Sequence, residues 1–223
     1  MKAQTALVLG ATGLIGSNLV ELLLADDTYE KVSVLVRKEY KLNHPRLEVK
    51  IVNFNNIKDF EEKIGNGNSI FCCIGTTMKK VNGDKAAYKK IDYDIAVNAA
   101  QLGLAGGYTK YLLVSSISAN ANSKNFYLQL KGKVENTITT FSYRSIHVFQ
   151  PSFLLGKRSE FRFGEMLGKG VMRALSLGLY GSLKKYRAID ATTVAKAMIA
   201  ASKRDEAGNK VYTYNEILEI VRP

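Results

Sequence analysis

Along this chain, short runs of nearly uninterrupted apolar residues alternate with longer segments whose apolar positions recur every three or four residues. The short runs are TALVLG (5–10), KVSVLVR (31–37), LEVKIV (47–52), SIFCCIG (69–75), KYLLVSS (110–116) and SIHVFQ (145–150). Most lack the polar alternation of a half-exposed strand, so they predict strands buried on both faces. Between the first two, Leu14, Ile15, Leu19, Leu22 and Leu23 share one helical face. Residues 85–104 and 124–142 carry the same period. This alternation predicts an α/β fold, a doubly wound parallel sheet with helices on both faces. After Pro151 the rhythm changes. A helix interrupted by Gly168 and Gly170 is expected over 163–179, a clearer one over 191–204, then a short strand and a terminal helix. No linker divides the chain. The expected organisation is one domain, 1–223, with a core at 1–151 and a mostly substrate-side extension at 152–223.

The first strand runs straight into Gly10-Ala11-Thr12-Gly13-Leu14-Ile15-Gly16, which opens the first helix. Glycine permits a tight turn and a close approach of backbone to a pyrophosphate, while the helix N-terminus offers free N–H groups to that anion. Strand, glycine triplet and helix in this order predict a Rossmann-like dinucleotide site. The second strand ends at Arg37-Lys38, about twenty residues past the loop. An acidic residue there would bind a ribose 2′-hydroxyl, whereas a guanidinium pairs with a 2′-phosphate. Arg37 therefore predicts NADP(H) in preference to NAD(H). Asn53, just past the third strand, is placed to hydrogen-bond an adenine edge.

Composition changes this picture little. The 223 residues carry a net charge of +12, with Lys79, Lys80, Lys85, Lys89 and Lys90 clustered in KKVNGDKAAYKK. Such a run reads as a solvated face, and no nucleic-acid-binding signature accompanies it, so a nucleic-acid partner is not expected. Cys72 and Cys73 are adjacent in a strand and point to opposite faces, which suits buried free thiols. The N-terminal apolar run is too short for a signal peptide and no stretch is long enough to span a bilayer, so a cytoplasmic protein without membrane contact is expected. Neither histidine has metal-ligand spacing, and His147, in an apolar strand, reads as structural.

Tyr127 and Lys131, in NFYLQLKGK, stand one helical turn apart. Hydride chemistry on a carbonyl needs a proton donor for the developing alkoxide, and an ammonium nearby favours the ionised form of a phenol. Ser115, Ser116 and Ser118 end the fifth strand, where ligands bind in parallel sheets.

Together, GATGLIG, VLVRK, FCCIGTT, YLLVSSISA, NFYLQLKGKVE and VFQPSFLLG resemble the atypical short-chain dehydrogenase/reductase superfamily, and especially the Tat-interacting protein 2 group of NADPH-binding oxidoreductases, over residues 5 to about 200. The resemblance implies a proton donor at Tyr127, its partner at Lys131, and a serine at Ser116, with Ser115 as fallback. It implies a phosphate loop at Thr12, Gly13, Leu14 and Ile15, a 2′-phosphate clamp at Arg37 and Lys38, and cofactor contact at Gly75 and Thr76. Arg158 and Arg162 match basic positions of the close group. Two departures stand out: Gln150 replaces an arginine common before Pro151, and the serine-to-tyrosine spacing is short. The expected partner is a small-molecule substrate, a carbonyl or alcohol. A protein partner is admitted by the alternative, a regulatory NADP(H)-binding module without turnover.

Overall fold

The structure is a computed structural model and describes residues 3–156 and 181–222. The strands are β1 (Gln4–Leu9), β2 (Tyr29–Val36), β3 (Leu47–Ile51), β4 (Ser69–Cys72), β5 (Lys110–Val114), β6 (Ser145–Phe149), β7 (Leu154–Leu155), β8 (Ile189–Asp190) and β9 (Gly208–Tyr212). The helices are α1 (Leu14–Leu24), α2 (Ile57–Ile64), α3 (Lys85–Lys89), α4 (Ile95–Ala105), α5 (Phe126–Ile138), α6 (Ala191–Lys203) and α7 (Tyr214–Ile220), and a π-helical turn (Lys90–Asp94) joins α3 to α4.

Seven strands form one sheet in the order β3-β2-β1-β4-β5-β6-β9, every neighbouring pair parallel. The predicted strands are all present. β4 and β6 are buried along their whole length, as uninterrupted apolar runs require, while β3 at the edge exposes Val49 and Ile51. The sheet separates two cores. One packs α1, α6 and α7 against it through Leu19, Leu23, Val194 and Met198. The other packs α2, α4 and α5 through Phe60, Ala99, Ala100 and Ile138.

Register sets the site. Leu9 of β1 lies level with Leu35 of β2 and Cys72 of β4, Cys72 with Leu113 of β5, and Val114 with Phe149 of β6. Gly10, Arg37, the 73–76 segment, Ser115 and Gln150 therefore leave the sheet at the same end. Strand order reverses between β1 and β4, which opens a crevice above their carboxyl ends.

Residues 191–222 join the sheet and its core: α6 packs on α1, and β9 extends the main sheet beside β6. Helix α2 went unread because its apolar face is only Phe60 and Ile64; it is set by Asn56, whose side chain accepts from the Lys58 and Asp59 amides. The expected helix at 163–179 lies outside the described residues.

Candidate active site

The glycine loop is built by close contact. Gly10 has φ +79°, and a Cβ there would stand 2.5 Å from the Cys73 carbonyl oxygen. A Cβ on Gly16 would stand 2.1 Å from the Gly10 carbonyl oxygen. These two positions press the loop onto the end of β4 and the helix onto the loop. The Gly13 amide donates to the Gly10 carbonyl (2.9 Å), and the first intrahelical bond runs from Ser17 N–H to the Gly13 carbonyl (2.9 Å). The amides of Leu14, Ile15 and Gly16 precede that bond, Gly13 supplies no side-chain cap, and the first turn carries no acid. Unpaired donors at a helix start without a competing carboxylate fit a pyrophosphate. Ala11 is buried beneath the loop and Thr12 exposed upon it.

Arg37 and Lys38 leave β2 exposed, and neither makes a hydrogen bond or ion pair with the described residues. Asn53 lies beside them, since Val52 N–H donates to the Val36 carbonyl (2.8 Å). Asn53 is exposed, and its Oδ1 accepts from the Asn55 amide (3.1 Å). These three residues occupy the β2–β3 end of the crevice.

The opposite end is carried by α5. Asn125 caps it by accepting from the Leu128 amide (3.1 Å), and Tyr127 follows in the first turn, half-buried. One turn on, Lys131 is only 4% exposed. Its Nζ lies 3.1 Å from Oδ1 of Asp92, itself 1% exposed, in the π-helical turn. Oδ2 of Asp92 accepts from the Thr76 amide (2.7 Å), while the Tyr88 hydroxyl donates to the Thr76 carbonyl (3.0 Å). Both backbone groups of Thr76 are thus held by the α3–α4 segment, which fixes the end of β4 beside Lys131. Asp92 escaped the sequence reading, although one signal was present: an acid on the apolar face shared by Tyr88, Ala96 and Ala99.

The serines divide. Ser115 hydroxyl donates to the Glu135 carboxylate, one turn beyond Lys131, and Nε2 of Gln150 donates to both Glu135 oxygens at 3.0 Å. Burial pushes the Glu135 carboxyl above its ordinary value, against the opposing effects of Ser115, Gln150 and the Lys131 charge. Ser115 thus ties β5 to α5. Gln150 thus contacts a carboxylate through an amide in place of a cation. Ser116 is buried, with its hydroxyl 3.3 Å from the Ile117 carbonyl. Ser118 is exposed at φ 62°, with its hydroxyl 3.5 Å from that of Tyr186. The short serine-to-tyrosine loop lies directly on α5: a Cβ on Gly132 would meet the Ala121 nitrogen at 2.2 Å, and Asn120 N–H donates to the Leu128 carbonyl (3.0 Å).

The glycine loop, Gly75, Thr76, Ser116, Tyr127 and Lys131 come together at the carboxyl ends of β1, β4 and β5, and the basic pair and Asn53 at β2–β3. Arg158 and Arg162 lie outside the described residues, as do Phe161, Phe163, Met166 and Met172. Cys72 and Cys73 are buried free thiols. His147 is buried, with Nδ1 3.0 Å from the Tyr212 hydroxyl, and burial lowers its pKa to about 4. Among the described residues no group of side chains could hold a metal, and no helix is long and apolar enough to cross a membrane.

Parallel order, glycine loop and switch-point crevice define a dinucleotide-binding protein of the short-chain dehydrogenase/reductase type. The family model for NAD(P)H-binding proteins matches residues 10–143. Protein HTATIP2 of Rattus norvegicus is 29% identical over 202 residues, 89% of this chain and 81% of that protein. Protein FMP52-1, mitochondrial, of Scheffersomyces stipitis is 30% identical over 237 residues, 98% of this chain and 99% of that protein. The dTDP-glucose 4,6-dehydratase DesIV of Streptomyces venezuelae, solved with NAD bound, shares the fold at 16% identity, with a TM-score of 0.69 over 97% of this chain and 80% of that one. The chain belongs to the NAD(P)H-binding family and, within the atypical short-chain dehydrogenases/reductases, to the group of HTATIP2 and FMP52. The expectation of a cytoplasmic protein is overturned by these relatives, since the FMP52 proteins are named mitochondrial.

Proposed function

We propose that the chain is an NADP(H)-dependent oxidoreductase that reduces a small carbonyl or oxidises the matching alcohol. The observation that carries this reading is the buried Lys131 one turn from Tyr127, at the crevice end where β4 and β5 finish. The glycine-loop amides would hold the pyrophosphate, with Arg37 and Lys38 on the 2′-phosphate and Asn53 at the adenine. When bound, the nicotinamide supplies or accepts the hydride. Tyr127 donates its phenolic proton to the oxygen of the carbonyl being reduced, and takes it back in the reverse direction. The Lys131 ammonium favours the phenolate that results. Ser116 is the serine left to orient the substrate oxygen, because the Ser115 hydroxyl is committed to Glu135.

The test is NADPH oxidation against a panel of small aldehydes and ketones. Tyr127→Phe should bind NADPH like the native protein and lose about 10²-fold or more in rate. Equal rates for the two proteins would sink the assignment. One observation favours a cofactor-binding module without turnover: Ser115 and Ser116 both direct their hydroxyls into the protein. NADPH binding with no oxidation across the panel would decide for that second reading.

A further inference from the structure

A second concavity lies on the face of α5 that bears Lys133 and not Tyr127 or Lys131. It encloses about 410 Å3 between α5 and the π-helical turn, with Lys89 and Lys133 at its sides and Tyr93, Phe126 and Leu130 between them. Its two sides are tied together. The Tyr93 and Thr137 hydroxyls lie 2.9 Å apart, and Phe126 stands edge-on to Tyr88 of α3 with ring centroids 5.6 Å apart. Lys79, Lys80, Lys85, Lys90 and Lys124 are exposed on the segments that flank the groove. Against these seven lysines the same segments set two acids at the surface. Asp84 caps α3 through the Ala86 and Ala87 amides, and Asp94 forms an exposed pair with Lys89 at 2.7 Å, a contact that holds weakly in water. Asp92 is buried, and Glu135 is turned to Ser115 and Gln150. An apolar floor in a strongly positive rim is the result.

That combination narrows the occupant. A second copy of the chain is disfavoured, because a two-fold contact would set these lysines against themselves. Single-stranded nucleic acid stacks its bases on open rings, and here Lys85 lies over Phe126 at 5.4 Å and Lys89 over Tyr93 at 4.8 Å. A membrane surface takes apolar side chains that protrude, whereas these are recessed between lysines. We propose that the groove docks an acidic segment of a partner protein, with an apolar side chain on Tyr93 and Leu130 and flanking carboxylates on Lys89 and Lys133. The proposal is independent of turnover at the crevice.

The probe is a fluorescein-labelled synthetic peptide in which single Leu and Phe residues are separated by pairs of Glu, titrated into the full chain and followed by anisotropy. Saturable binding is expected, weakened about tenfold or more by the double variant Lys89→Glu/Lys133→Glu. Both lysines are exposed, so the variant should unfold at the native temperature, which separates loss of the groove from loss of the fold. Should it not fold, Lys89→Gln/Lys133→Gln takes its place, with a loss of about threefold or more expected. A polyglutamate peptide of equal charge should bind about tenfold more weakly, since it leaves the apolar floor empty. Equal affinity for the two peptides, an unchanged isotherm in the folded variant, or no saturable binding overturns the proposal. So does tighter binding of oligothymidylate or of phosphatidylserine vesicles, or self-association by sedimentation that the variant abolishes.

Discussion

Arg37 leaves β2 with its guanidinium in solvent and no partner among the described residues. A side chain held by nothing in the protein is available for a phosphate, and a fork of N–H donors pairs with one bidentately. Arg37→Glu should raise the NADPH dissociation constant more than about tenfold and leave NADH within about twofold, measured by fluorescence titration. Gly16 gives a different kind of prediction. An added Cβ would stand 2.1 Å from a backbone oxygen, so Gly16→Ala should lose about 1–3 kcal/mol in urea unfolding and weaken nucleotide binding with it. Both positions stand out in the sequence, because the proposed role demands one residue type at a fixed distance from a strand. Tyr127 and Lys131 were legible for the same reason, being one turn apart on one helix. Asp92 and Glu135 were not, since each takes its role from partners on other elements: Thr76 and Lys131 for one, Ser115 and Gln150 for the other.

At the scale of elements, α5 is held by buried charge as much as by apolar packing. Glu135 fastens it to the ends of β5 and β6 through Ser115 and Gln150. Its folded pKa is raised above the ordinary carboxylate value of 4.5, with burial the largest cause. The folded state therefore binds more protons than the unfolded state between those two values. Stability from this group is complete below pH 4.5 and is lost as pH rises through the raised value. Glu135→Gln should flatten that part of the pH–stability profile, as followed by thermal unfolding; a parallel profile for native and variant would contradict this role. Helices α3 and α4 read from the sequence as one continuous helix, and the periodicity holds through most of it. The π-turn within it was not legible, since the spacing of apolar residues carries no mark of it.

Over the whole molecule, the sheet and its order follow from runs of apolar residues, which is why its first six strands were legible in the sequence. The role of the last third was not, because β9 is exposed along most of its length and looks like surface in sequence. It nonetheless extends the main sheet beside β6, and α6 closes the core over α1. Deleting residues 191–223 should therefore give an unfolded chain by circular dichroism, not a smaller nucleotide-binding domain. His147 on β6 adds a second pH limb. Its pKa falls from 6.5 to about 4 on folding, mainly through burial, so the unfolded state binds more protons between those values. Stability on the order of 3 kcal/mol is present above pH 6.5 and lost as pH falls through 4. His147→Leu should lack this acid limb. The central claim, an NADP(H) site in the crevice above β1 and β4, is tested most directly by calorimetric titration of the native protein with NADPH and with NADH. One site per chain is expected, saturable with NADPH, and at least about tenfold weaker binding of NADH. No heat of binding at millimolar NADPH, or equal affinity for the two nucleotides, would contradict it.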